Sequence, residues 1–302
     1  MENLRIAITG ASGLLGSRLV VDLRLAGHTV YALRRGAPSP DAAMWNPETG
    51  EISAPERADV LLHFAGRSVA ARWSAKVKKE IWDSRIPPTE KLSQWLASLP
   101  SSERPKLIIS ASAVGIYGNR GEEILTEVSP PAPPKTSYLA DVCRAWEGAT
   151  KAAEDAGIRV IHPRFGVVLS KEGGALRKMM TPTKLGLAGP IGPGTQWMSW
   201  ISLTDVSRLM IHLVESEDRV LSGAVHFVAP HPVRQHEFIR TLGNALHRTT
   251  VFPMPSPVVK WVFGEMGEEV LLASQRVSSE RIPRDFQFHH PNLETAMIAE
   301  LS

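Results

Sequence analysis

The chain opens on a nearly continuous apolar run, Leu4-Arg5-Ile6-Ala7-Ile8-Thr9, that reads as a short strand buried on both faces. A helical pattern follows to Ala26, with Gly27 as its stop, and Thr29-Val30-Tyr31-Ala32-Leu33 predicts a second strand. A third strand is predicted at Asp59–Phe64, closing in Ala65-Gly66. Helical spacing returns with Trp73, Val77, Ile81 and Trp82, and again from Thr89 to Leu99, where Pro100 ends it. Lys106 to Ser112 predicts a strand. Tyr138 to Ala156 predicts one long amphipathic helix capped by Gly157, and Ile158 to His162 a strand ahead of Pro163-Arg164-Phe165-Gly166. This alternation predicts an α/β fold, a Rossmann-type doubly wound parallel sheet with helices on both faces.

Past residue 170 the pattern loosens. Thr181 to Trp197 carries Gly186, Gly189, Pro190, Gly192, Pro193 and Gly194, and reads as a long binding loop or lid. Order resumes at Trp200–Val206, and Ala224 to Val228 reads as one more strand. The C-terminal stretch mixes Pro253, Pro255 and Pro257 with helical pieces at Val258–Gly264 and Val270–Val277. The expected organisation is a nucleotide-binding domain over 1–170 with a returning segment at about 200–228. A smaller substrate lobe is expected from 171–199 and 229–302.

The join between first strand and first helix carries the chemistry. In Gly10-Ala11-Ser12-Gly13-Leu14-Leu15-Gly16, Gly10 permits the tight turn and Gly13 lets backbone approach a pyrophosphate. Gly16 lets the helix pack on the strand. The helix N-terminus offers unbonded N–H groups and a positive dipole end to the anion. An NAD site usually sets Asp or Glu after the second strand, yet no acid stands between Asp22 and Asp41. Arg34-Arg35 occupy that place, and a guanidinium fork suits a phosphate better than a hydroxyl. The expected cofactor is therefore NADP(H), with Arg34 the better candidate for the 2′-phosphate. Ligands of such sheets bind outside the strands' carboxyl ends. That rule gathers the glycine turn, Arg34, Phe64, Ala65, Gly66, Ser110–Val114 and Pro163–Val167 at one edge.

Composition narrows the class. The chain has 302 residues, 43% of them hydrophobic, enough for a sizeable core. Lys+Arg 34 against Asp+Glu 31 gives a net charge of +3. There is no long basic run, so nucleic acid is not an expected partner. Cys143 is the single cysteine, which excludes an internal disulfide framework and a cysteine metal cluster. His289-His290 has no carboxylate at ligand spacing, and no metal site is expected. No apolar run reaches the ~18 residues of a membrane span. With the first strand so close to Met1, no signal peptide is expected, and the reading is a soluble cytoplasmic protein.

These motifs together resemble the extended short-chain dehydrogenase/reductase family. The likeness rests on Thr9-Gly10-x-x-Gly13-x-x-Gly16 and Ser110-Ala111-Ser112-Ala113-Val114-Gly115-Ile116-Tyr117-Gly118. Arg164-Phe165-Gly166 and Trp200-Ile201-x-x-x-Asp205-Val206 add to it. Arg72-Trp73, Ser84-Arg85, Gly192-x-Gly194-x-Gln196-Trp197-Met198-x-Trp200-Ile201 and Ser274-Gln275-Arg276-Val277 resemble its atypical "epimerase family" branch, some members of which are labelled cell-division-inhibitor-like. That branch carries its own C-terminal extension. The resemblance implies a catalytic Ser at Ser112, with Ser110 as competing placement, and a catalytic Tyr at Tyr138. It also implies a place near the cofactor for Glu80, Arg85 and Arg164. The family's Lys, four residues after the Tyr, lowers its pKa, but Val142 stands there and offers no charge.

The implied activity is that of an NADP(H)-binding oxidoreductase or epimerase-like protein acting on a small carbonyl, alcohol or nucleotide-sugar. The alternative is a non-catalytic NADP(H)-binding regulator or redox sensor. An isomerase that holds its cofactor permanently is a third possibility.

Overall fold

The structure, a computed structural model, describes residues 3–34, 42–54, 56–216 and 221–302. Arg35, the second of the paired arginines, lies outside the described residues.

Strand β1 (Arg5–Thr9) enters helix α1 (Leu14–Leu25), which returns the chain to β2 (Thr29–Arg34) beside it. Short strands β3 (Ala42–Trp45) and β4 (Ile52–Ser53) extend that side. Strand β5 (Val60–His63) pairs with the opposite side of β1, so the strand order reverses there. Helices α2 (Ala75–Asp83) and α3 (Ile86–Ser98) lead to β6 (Leu107–Ser110), β7 (Ser112–Ala113) and β8 (Ile124–Leu125). Helices α4 (Tyr138–Gly148) and α5 (Lys151–Asp155) precede β9 (Arg159–Phe165).

Then come β10 (Val167–Leu169), α6 (Gly174–Lys184), β11 (Trp197–Met198), β12 (Trp200–Ser202), α7 (Leu203–Glu215) and β13 (Gly223–Phe227). The main sheet runs β13-β9-β6-β5-β1-β2-β3-β4, parallel except for the β3–β4 pair. This is the doubly wound Rossmann order. Its switch point, between β1 and β5, is where such sheets open a crevice for ligands.

The two faces have separate cores. Ile6, Ile8, Leu62 and Ile109 meet Leu19 and Leu23 of α1 and Val206, Leu209 and Leu213 of α7. Ala7, Leu61 and Ile108 meet Leu92 and Leu96 of α3 and Ala153 of α5. Each fully buried Leu or Ile contributes roughly 1.5–3 kcal/mol over leaving it in water. A third core joins α6, α8 (Gln235–Ala245) and α10 (Leu293–Leu301) through Leu176, Phe238, Leu242 and Met297.

Three expectations change. The helix expected over Tyr138–Ala156 breaks after Gly148, where Thr150 Oγ1 bonds Glu147 O and competes with the helical ladder. The loop expected from Thr181 begins later, because α6 runs through Pro182 to Lys184. Pro182 has no N–H to give to the carbonyl of residue 178, and the helix ends two residues later. The helix expected over Val270–Val277 is one π-type turn, Gly267–Leu271, and then β15 (Arg276–Val277). That strand pairs with β8, an interaction more distant in sequence than any local periodicity reports. Strand β14 (Val233–Arg234) and α9 (Ser256–Phe263) complete the smaller lobe.

Candidate cofactor and substrate site

The glycine turn sits at the switch point. Gly10 has φ +69°, and a β-carbon there would lie 2.8 Å from the Phe64 carbonyl carbon. A β-carbon on Gly16 would lie 2.3 Å from Gly10 O, so α1 packs against the turn only because residue 16 is glycine. Gly13 caps α1 without a side-chain acceptor, leaving the first-turn N–H groups for an external partner. Ser12 and Gly13 are exposed; Ala11, Leu14 and Leu15 are half-buried. Thr9 is opposite Leu33 in the β1–β2 ladder, which brings Arg34 level with Gly10. Arg34 is exposed, and no carboxylate among the described residues pairs with it.

A buried hydrogen-bond chain fixes the β5 side of this crevice. The Phe64 and Ala65 amides donate to Thr9 Oγ1 at 3.2 and 3.3 Å. Thr9 Oγ1 lies 2.8 Å from His63 Nδ1, and His63 Nε2 lies 2.9 Å from Thr89 Oγ1. Thr89 Oγ1 itself donates to Arg85 O at 2.5 Å and accepts from Trp146 Nε1. These directions set the imidazole as neutral, with its proton on Nε2. Complete burial pushes the His63 pKa down to about 4.

Arg85 stacks on Trp146 at 4.9 Å and donates to Arg67 O at 2.8 Å. Its guanidinium carbon would stand 3.0 Å from a β-carbon on Gly66. Burial lowers its pKa, and no carboxylate among the described residues pairs with it. Arg85 thus supports the Phe64–Gly66 loop from beneath. Glu80, expected near the cofactor, pairs with Arg67 at 2.9 Å, where the Arg67 fork meets α2. Its role in this structure is to hold that loop.

The positions expected to be catalytic are engaged elsewhere. The Tyr138 hydroxyl donates to Lys78 O at 2.5 Å, and its ring packs edge-on against Trp73. Val142 lies in the same apolar cluster with Ile81, Ile86 and Met266. Burial pushes the Tyr138 pKa up to about 12, away from the range a proton shuttle needs. Arg144 bonds Asp141 and Ala132 O, turned from Tyr138. Ser112 Oγ donates to Glu147 Oε1 at 2.6 Å. Ser110 is buried beside His63, Thr89 and Thr150, with no partner for its hydroxyl among the described residues.

Arg164, expected to meet a ligand, is spent inside the protein. Its Nε and Nη2 donate to Glu147 at 2.8 and 2.9 Å, and Nη1 donates to Tyr117 OH at 2.6 Å. Tyr117 OH lies 2.7 Å from His226 Nε2, whose ring donates from Nδ1 to Ser278 O. Burial pushes the His226 pKa down. Glu147 and His226 stand at no motif spacing and were not singled out; Tyr117 belongs to the 110–118 motif, but its partners are not encoded there.

The C-terminal segment reaches back to this helix. Glu269 accepts from Ser137 Oγ, Tyr138 N and Leu139 N, each at 2.8 Å, and so caps α4 from a distant part of the chain. Arg72 donates to Trp261 O, and Lys178 of α6 donates to Ala70 O at 2.6 Å. Arg234 and Arg276 both stack on the Trp197 ring, at 3.9 and 4.5 Å, and Trp197 Nε1 donates to Glu122. Trp200 is wholly buried core.

The profile of the NAD dependent epimerase/dehydratase family matches residues 6–229. The chain belongs to that family. A domain of unknown function, DUF1731, matches residues 254–299, the segment that supplies Glu269. The epimerase family protein Mb2239 of Mycobacterium bovis is 40% identical, over 98% of this chain and 97% of that one. The human epimerase family protein SDR39U1 (isoform2), crystallised with NADPH, superposes with a TM-score of 0.88. It is 30% identical and covers 98% of both chains. A nucleoside-diphosphate sugar epimerase from Corynebacterium glutamicum has a TM-score of 0.78 and 33% identity, over 99% of this chain and 58% of that one.

Proposed function

We propose that the chain binds NADP(H) at the β1–β5 crevice and passes hydride between it and a small carbonyl or alcohol. The Gly10 cradle carries this reading: a β-carbon there would collide with Phe64, and the α1 amides above it are uncapped. Arg34 supports the phosphorylated form of the coenzyme. The human relative crystallised with NADPH supports it from a second direction.

NADPH bound in this cradle would supply the hydride. The α1 amides would hold the pyrophosphate, Arg34 the 2′-phosphate, and the Phe64–Gly66 backbone would wall the other side. Tyr138, bonded to Lys78 O and with no lysine at position 142, stays a neutral phenol. The proton that accompanies hydride is then drawn from water. A cytoplasmic setting is part of the reading; no helix among the described residues is long and apolar enough to cross a membrane.

The test is NADPH consumption against a panel of small carbonyls, with the wild type and Tyr138→Phe. Steady turnover, kept within a few-fold in the variant, is the expected result. Tight NADPH binding with no consumption across the panel would overturn it in favour of a non-catalytic regulator.

A further inference from the structure

The run from Val251 to Phe263 is apolar at every position except Ser256 and Lys260. An apolar run of about 10–14 residues belongs either to a core or to an interface, since a bilayer span needs about 20. Here the core reading fails. Val251 is 66% exposed, Phe252 57% and Trp261 77%. In α9, Val258, Trp261 and Val262 are spaced three and four apart and share one side. Val259, wholly buried, pins the helix to the lobe. Leu187, 63% exposed, stands beside the start of the run, because Phe252 N donates to Ala188 O. Side chains this exposed stand out from the surface and do not line a groove.

The charge around the run is positive and unanswered. No acid stands between Glu237 and Glu265. Arg248, just before the run, donates to Lys184 O and His247 O. Arg72 donates to Trp261 O and Val262 O near its end. Arg72, Lys184 and Arg248 are exposed, and no carboxylate among the described residues pairs with any of them. The acids that follow, Glu265 and Glu268, are committed to Lys78 and Lys260.

We propose that this face docks on the surface of a bilayer that carries anionic lipid. Phe252, Val258 and Trp261 enter the boundary between headgroups and acyl chains, and Arg72, Lys184 and Arg248 meet lipid phosphates. The run is too short to cross, so the protein lies on the bilayer. A second copy of the chain fits less well. A two-fold contact would set this cationic patch against itself, with its acids already paired. A peptide partner would need a groove or a strand edge, and protruding side chains from one helix and two loops offer neither.

The test is flotation of the full chain with vesicles of phosphatidylcholine, alone or with one third phosphatidylglycerol. Binding to the anionic vesicles is expected to be at least tenfold stronger, and to weaken severalfold as salt is raised. Trp261→Ser should lower it at least tenfold and Val258→Ser should lower it too. Both variants should keep the wild-type circular dichroism and NADPH affinity. Among the described residues Trp261 is the only exposed tryptophan, so doxyl-labelled lipid should quench the wild type and lose most of that effect in Trp261→Phe. No binding to anionic vesicles, equal binding to both lipids, or undiminished binding by folded Trp261→Ser would overturn the proposal. A dimer that Trp261→Ser dissolves, seen by sedimentation without vesicle binding, would assign the face to a second copy instead. Polyglutamate binding without vesicle binding would assign it to an acidic protein.

Discussion

Arg164 grips Glu147 with two parallel hydrogen bonds, Nε to Oε1 at 2.8 Å and Nη2 to Oε2 at 2.9 Å, tying β9 to α4. The pair is largely buried, with side-chain exposures of 8% and 16%. Burial alone would raise the Glu147 pKa, but the Arg164 fork carries it below the usual carboxylate range. Ser112 and Tyr117 complete the pair's hydrogen bonds. In this structure the group expected to face a ligand is a cross-brace of the fold.

Breaking that brace from one side leaves a buried charge. Glu147→Gln is expected to lower the unfolding free energy by about 3–5 kcal/mol, read from urea denaturation. Because the native pKa is depressed, the wild-type contribution is present above the unfolded pKa and fades as pH falls through the native one. A change below about 0.5 kcal/mol would show that the pair is not a brace.

His63 supplies a second pH dependence. Its folded pKa of about 4 lies below the unfolded value near 6.5, so the unfolded chain binds the extra proton first. Stability from this group is intact above pH ~6.5 and declines by up to ~3 kcal/mol as pH falls to about 4. Proton NMR of the imidazole through a titration checks it; a midpoint near 6.5 would contradict a neutral link between Thr9 and Thr89.

Two glycines with positive φ separate crowding from backbone strain. Gly10→Ala would place a β-carbon 2.8 Å from Phe64, whereas one on Gly27 would meet nothing within 4 Å among the described residues beyond its chain neighbours. Gly27→Ala is expected to cost about 1 kcal/mol and leave NADPH binding unchanged. Gly10→Ala should lose at least tenfold in NADPH affinity, measured by calorimetry. Equal behaviour of the two variants would contradict a steric cradle.

The cap from Glu269 makes the C-terminal segment part of the α4 scaffold. Glu269→Ala removes an acceptor of three hydrogen bonds and a negative charge from a helix N-terminus. A loss of about 1–2 kcal/mol is expected by thermal unfolding. Hydrogen exchange should rise first at Tyr138 and Leu139. Unchanged protection at both amides would refute the cap.

Much of the nucleotide half was legible in sequence because its signals are local. Gly10, Gly13 and Gly16 answer to a turn, and β1, β2 and β5 to short apolar runs that the structure places side by side. The expected roles of Glu80, Arg164, Ser112 and Tyr138 were position-based, and position does not report a partner. Arg164 meets Glu147, Glu80 meets Arg67, and Tyr138 meets Lys78 O through contacts no spacing encodes. Helices α6, α8 and α10 were missed because loops rich in Gly and Pro around them mask their periodicity.

The most direct test of the cofactor claim is a calorimetric titration of the wild type and Arg34→Ala with NADPH and NADH. The account expects NADPH to bind at least tenfold more tightly than NADH to the wild type, with that preference lost in the variant. No heat from either coenzyme, or equal affinity for both in the wild type, would contradict it.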